Sequence, residues 1–95
     1  MRYSKIVGLG HHVPETVITN QYLSGIIDTS DEWIIERTGI KERRYVDPTK
    51  DTVANMAAKA TRMALQRAKL TEKDIDFIVF ATITPDYFFP GSGVL

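Results

Sequence analysis

The longest regular pattern runs from Thr52 to about Lys69. There Val53, Met56, Ala57, Ala60, Ala64 and Ala68 recur at the three- and four-residue spacing of one helix face. The stripe is narrow and rich in alanine, so this helix can lie close to a sheet. Two apolar runs have another character. "SKIVGLG", residues 4–10, is apolar and closed by glycine, and predicts a first strand. "FIVFAT", residues 77–82, is apolar throughout. It predicts a central strand buried on both faces, as in sheets with a helix layer on each side, and Pro85 ends it.

Between these elements the polar residues set the boundaries. "HHVPE" turns, because Pro14 disfavours helical backbone at Val13. Thr19 can cap a short helix through "NQYLSGII". Thr29, with Glu32 three residues on, has the capping-box pattern, and the helix from Ser30 should stop near Gly39. "IKERRYV" suits either a strand or a loop. "LTEKDID" reads as a tight turn with polar caps, and "DYFFPGSG" as a loop carrying the Phe88–Phe89 pair. The order strand, helices, strand predicts an α/β class. A strand buried on both faces needs neighbours, and at most two or three strands are available. "GSGVL" looks like the start of a further element. Residues 1–95 therefore read as one piece, the opening of a mixed sheet with helix layers.

Length and composition narrow the class of function. A chain of 95 residues suits one small domain or part of a larger one. With 43 % hydrophobic and 25 % charged residues it is close to the globular average, which argues against disorder. The formal net charge is zero, and the basic cluster at Lys41, Arg43 and Arg44 is balanced elsewhere, so no nucleic-acid partner is expected. No apolar run reaches the ~18 residues a membrane span needs, and the apolar stretch at the N-terminus is too short for a signal peptide. Cysteine is absent, which fits a cytoplasmic protein and removes thiolate nucleophiles and cysteine metal sites from this chain.

Four clusters could carry chemistry. Gly8 and Gly10 suggest a dinucleotide fingerprint, but its third glycine would fall at Val13 and Pro14 breaks the required helix. They are read as easing the turn out of the first strand. His11 and His12 point opposite ways in extended chain and have no third ligand, so no metal site is expected. Trp33 and Arg37 stand four apart and share a helix face. One reading has the ring stack on a nucleobase with the cation near phosphates. The other puts Trp33 in the core and pairs Arg37 with Glu36 or Asp31. Phe88, Phe89 and Pro90 form either an ordinary hydrophobic turn or an aromatic pair that enters a partner subunit or an apolar pocket.

Together "GLGHHVPE", Thr19–Asn20, "DTSDEWIIERTGIKERR" and "FIVFATITPDYFFPGSG", in this order and spacing, resemble the N-terminal part of the β-ketoacyl-acyl carrier protein synthase III family, of thiolase fold. The resemblance covers essentially the whole chain. It implies a homodimeric, cytoplasmic enzyme that initiates fatty acid synthesis. Such an enzyme takes an acyl group, usually acetyl, from acyl-CoA onto a cysteine and condenses it with malonyl-acyl carrier protein, losing CO2. Acyl-CoA is then a substrate, and no cofactor is implied. The family's catalytic Cys, His and Asn lie beyond "FPGSG", so this chain holds none of the three and is expected to be inactive alone. By the same resemblance Trp33 stacks on the adenine of coenzyme A, Thr29 contacts the base edge, and Arg37 lies by the nucleotide. Phe89 reaches across the dimer interface to the partner's acyl pocket. Ile83 stands where the family often has threonine, which leaves the acyl preference open. Two alternatives remain: a related acyltransferase of secondary metabolism, and a standalone, non-catalytic binding domain.

Overall fold

The computed structural model describes residues 2–87. The chain divides into two compact units, one of Val13–Lys50 and one of Met1–His12 with Asp51–Leu95.

The Val13–Lys50 unit is built on a pair of antiparallel strands, β1 (Thr16–Thr19) and β2 (Glu42–Tyr45). Thr16 faces Tyr45, Val17 faces Arg44, Ile18 faces Arg43 and Thr19 faces Glu42. Every residue of β1, "TVIT", is β-branched and stiff at χ1, which suits a pleated strand. Only Ile18 of the four is buried. The strand runs straight into helix α1 (Asn20–Ser24), whose first turn is capped as the sequence predicts: Thr19 Oγ1 accepts from the Tyr22 N–H at 3.1 Å.

Helix α2 (Asp31–Thr38) follows. Its cap is Ser30, whose hydroxyl accepts from the Trp33 N–H at 3.1 Å, and not Thr29, one residue earlier. The capping-box register predicted from Thr29 and Glu32 is thus displaced by one residue. Gly39 ends the helix as expected, at φ +73, with its N–H on the Ile35 carbonyl at 2.8 Å. Pro14, Ile18 and Ile34 are the buried apolar residues of this unit, and Asn20 is buried as well.

The other unit is organised by α3 (Val53–Ala68), within one residue of the span its periodicity predicts. Thr52 Oγ1 accepts from Asn55 N–H at 3.0 Å. The Asp86 carboxylate takes the Val53 and Ala54 N–H groups at 2.7 and 2.8 Å. Three of the four amides that a helix start leaves unpaired are thereby satisfied. At the far end Lys69 adopts the left-handed conformation, φ 60. Leu70 N–H reaches the Leu65 carbonyl and Lys69 N–H the Gln66 carbonyl, a Schellman closure. A single 3-10 turn, Glu72–Asp74, is closed by Thr71 and Asp74, in keeping with the predicted polar turn.

The alanine stripe does what its size allows, but against an extended segment and not a paired strand. A Cβ added to Gly8 would come within 2.9 Å of Ala68 Cβ and within 2.5 Å of the Ala64 carbonyl. One added to Gly10 would overlap the Ala60 carbonyl. The two glycines are therefore a close-approach device, with neither at positive φ, and not the turn residues the sequence suggested. Arg67 Nη1 adds a bond to the Leu9 carbonyl at 3.3 Å.

Neither residues 4–10 nor residues 77–82 belong to a ladder among the described residues, where the sheet has two strands, β1 and β2. This corrects two predicted strands. Phe77 and Val79 are each 83 % exposed, so the expectation of burial on both faces also fails here. The physical reason is that an apolar run becomes a central strand only with partner strands on its edges and layers on its faces. Among the described residues α3 lies against residues 4–10, but no partner strand pairs with either run.

Candidate functional site

The site predicted from sequence lies on α2 and the turn before it. Asp28, Thr29, Ser30 and Trp33 line an open recess of about 320 Å³. The turn is tight, with Thr29 N–H on the Ile27 carbonyl at 2.9 Å, and it delivers Ser30 to the cap position. Capping fixes the first helical turn, and with it the direction in which Trp33 leaves the backbone.

Helical geometry then separates the faces. Ile34 turns inward and is buried, while its neighbour Trp33 is 52 % exposed. Arg37, one turn on, sets its guanidinium over the indole ring, 5.2 Å from the centroid. At that range the cation is attracted by the ring quadrupole, worth about 0.5–1 kcal/mol at an exposed site. Neither Glu36 nor Asp31 takes Arg37, as the core reading required. The Asp31 carboxylate accepts instead from Asn20 Nδ2 at 2.9 Å. Of the two readings of this pair, the exposed ring with an adjacent cation is the one the geometry gives.

Helix polarity suits this arrangement. Asp31 and Glu32 sit in the first turn and Arg37 in the last, each opposite the partial charge of its helix end. Thr29 completes the picture: its hydroxyl oxygen is shielded from solvent and has no hydrogen-bond partner among the described residues. An unsatisfied buried hydroxyl costs about 1–3 kcal/mol, so this oxygen has an unused hydrogen-bonding capacity. An exposed aromatic face, a cation beside it and a spare hydroxyl can together hold a flat, hydrogen-bonding, anionic molecule.

Three of the four site residues, Thr29, Trp33 and Arg37, thus fall together. The fourth, Phe89, lies outside the described residues. Ile83 is described and almost wholly exposed.

Sequence reasoning passed over Asn20. Its side chain is 1 % exposed and makes three hydrogen bonds: to Asp31 Oδ1, to the Ile40 carbonyl at 2.8 Å, and from Arg43 Nη2 at 2.7 Å. An asparagine directly after a helix cap resembles an ordinary first-turn residue, so only its partners reveal it. The strand β1 was also passed over, although four successive β-branched residues after Pro14 were a usable signal.

No family model matches the chain. Among curated proteins it is 54 % identical over 85 residues to "Beta-ketoacyl-[acyl-carrier-protein] synthase III 1" of Bacillus anthracis, an alignment that covers 90 % of this chain and 27 % of that protein. Among solved structures it superposes on 3-oxoacyl-[acyl-carrier-protein] synthase III from Aquifex aeolicus with a TM-score of 0.89 and 46 % identity, over 95 % of this chain and 29 % of the other. The priming β-ketosynthase from the R1128 polyketide biosynthetic pathway matches at a TM-score of 0.74 and 32 % identity, over 88 % of this chain and 27 % of the other. The chain spans a little over a quarter of the length of the proteins it matches.

Proposed function

We propose that this chain, a partial portion of the β-ketoacyl-acyl carrier protein synthase III family of thiolase-like fold, supplies the wall holding the nucleotide end of coenzyme A in such an enzyme. The observation that carries the reading is the half-exposed ring of Trp33, with Arg37 over it and the unpartnered Thr29 hydroxyl in the same recess. In this reading the adenine stacks on the free face of Trp33. Thr29 bonds the base edge, and Arg37 turns its charge to the nucleotide phosphates.

The whole enzyme, in this proposal, moves an acyl group from acyl-CoA onto a cysteine thiolate. It then condenses that group with malonyl-acyl carrier protein as CO2 leaves. This chain has no cysteine, so the nucleophile is not among its residues, and the chain alone is expected to be inactive. The proposal extends to a cytoplasmic homodimer in which Phe89 enters the partner's acyl pocket. Among the described residues no helix is long and apolar enough to cross a membrane.

A second reading, a priming synthase of a secondary pathway, takes support from the R1128 likeness. Both the identity and the TM-score favour the first. The test is Trp33→Ala in the enzyme that contains this chain. Loss of one base–aromatic stack is worth about 1–3 kcal/mol. The effect should fall on KM for acyl-CoA, because the adenine is remote from the bond that breaks. A change confined to kcat would refute the assignment.

A further inference from the structure

We propose that Asn20 is a positioning residue for coenzyme A: one buried amide ties the first residue of α2 to the chain just past its cap and sets where Trp33 and Arg37 stand. The inference rests on the reading of those two residues as the nucleotide wall.

The geometry is specific. Asn20 lies where β1 passes into α1. Its Nδ2 donates to Asp31, the first residue of α2, at 2.9 Å. It also donates to the carbonyl of Ile40, just past the Gly39 cap, at 2.8 Å. Because one nitrogen makes both bonds, it pins the start of the helix to the chain that leaves it, and so restrains how α2 can shift. The amide is itself held. Its Oδ1 accepts from Arg43 Nη2 at 2.7 Å, and Arg43 Nη1 donates to the Ile18 carbonyl at 3.3 Å. The Asn20 N–H is also bonded, to the Lys41 carbonyl at 3.2 Å.

Apolar packing alone would leave α2 poorly fixed. The helix has eight residues, well short of the ~12–15 at which isolated helices persist in water. Its one buried residue is Ile34. A polar clamp therefore decides its placement. Only a short carboxamide offers two donors and an acceptor in one plane. An aspartate at this position would set a carboxylate against Asp31 and the Ile40 carbonyl, with no proton to give either.

The test uses the full chain, with coenzyme A titrated calorimetrically and backbone amide exchange followed along α2. Asn20→Ala should speed exchange at Gly39 and its helical neighbours, and weaken coenzyme A, each by about tenfold, as expected for losing roughly one charge-assisted hydrogen bond. Asn20→Asp should act in the same direction and carries the test if Asn20→Ala does not fold. Adding Asp31→Asn to Asn20→Asp exchanges donor and acceptor between these two positions, and should recover part of both losses while the Ile40 carbonyl stays unpaired, a coupling a generally weakened fold would not show. Unchanged exchange along α2, or a double variant no better than Asn20→Asp, overturns the clamp. Trp33→Ala is measured beside them. If it leaves coenzyme A affinity intact, the nucleotide-wall reading fails and this role falls with it, even where the exchange data show α2 loosened.

Discussion

Replacing Gly10 by alanine separates two accounts of this chain's glycines. Its φ is not positive, so an L residue can adopt the backbone without strain. By backbone entropy alone Gly10→Ala should stabilise the chain by about 0.4–1 kcal/mol, through the unfolded state. The tertiary structure demands the opposite. The new Cβ would overlap the Ala60 carbonyl and lie 2.6 Å from the Ala64 nitrogen. Both are backbone atoms inside α3, and neither can rotate away as a side-chain tip would. Forcing a methyl into packed space costs about 1–3 kcal/mol. After the entropic gain is subtracted, the net loss is about 1.3 kcal/mol at the centre of a range of about 0–2.6 kcal/mol. For a chain of this size the central value lowers Tm by about 5–10 °C. Thermal unfolding followed by far-ultraviolet circular dichroism measures it. Gly25→Ala is the control: there the nearest atom to an added Cβ is the Tyr22 carbonyl oxygen, at an ordinary 3.5 Å. That variant should be neutral or slightly stabilising. If Gly10→Ala matches Gly25→Ala, the close approach of residues 4–10 to α3 is wrong, and with it the structural role given to the alanine stripe.

Three further outcomes are expected. Asp86→Ala removes the acceptor for two amides at the start of α3, and should cost about 1–2 kcal/mol in urea unfolding. Thr52→Ala, which frees a single amide at the same helix end, should cost less. Asp47 is held below the ordinary carboxylate range, first by the Thr49 hydroxyl at 2.6 Å and then by the Thr49 N–H at 2.9 Å. Its folded pKa lies below its unfolded one, so this contribution to stability is present above the unfolded value and is lost as pH falls through the folded value. Thr49→Val should move the Asp47 midpoint in an NMR titration upward, toward 3.8, and an unmoved midpoint would exclude the hydroxyl as the cause.

Local rules were enough for much of this chain. Thr19 and Thr52 cap helices, Gly39 ends one, and α3 spans the range its apolar spacing marks out, because caps and periodicity act within a few residues of the chain. The segment that carries Thr29, Trp33 and Arg37 was legible for the same reason: side chains four apart on one short helix must share a face. What the ring does was not legible from spacing. Whether Trp33 turns inward depends on what covers the helix, and it is Ile34 that takes the buried side.

Most of what the sequence did not decide depends on residues distant along the chain. The exception is local: the one-residue shift of the cap from Thr29 to Ser30 accompanies the tight turn at Ile27. Gly8 and Gly10 gain their meaning only from Ala60, Ala64 and Ala68, fifty or more residues later. Asn20 becomes a clamp only when Asp31, Ile40 and Arg43 converge on it. The two apolar runs were read as strands from composition, yet a ladder is a property of pairs of segments, and hydrophobicity cannot supply the missing partner. Composition and periodicity determined where this chain could be helical and which side chains could share a face. The tertiary structure alone decided which groups meet, because hydrogen bonds and close packing form between residues that the sequence holds far apart.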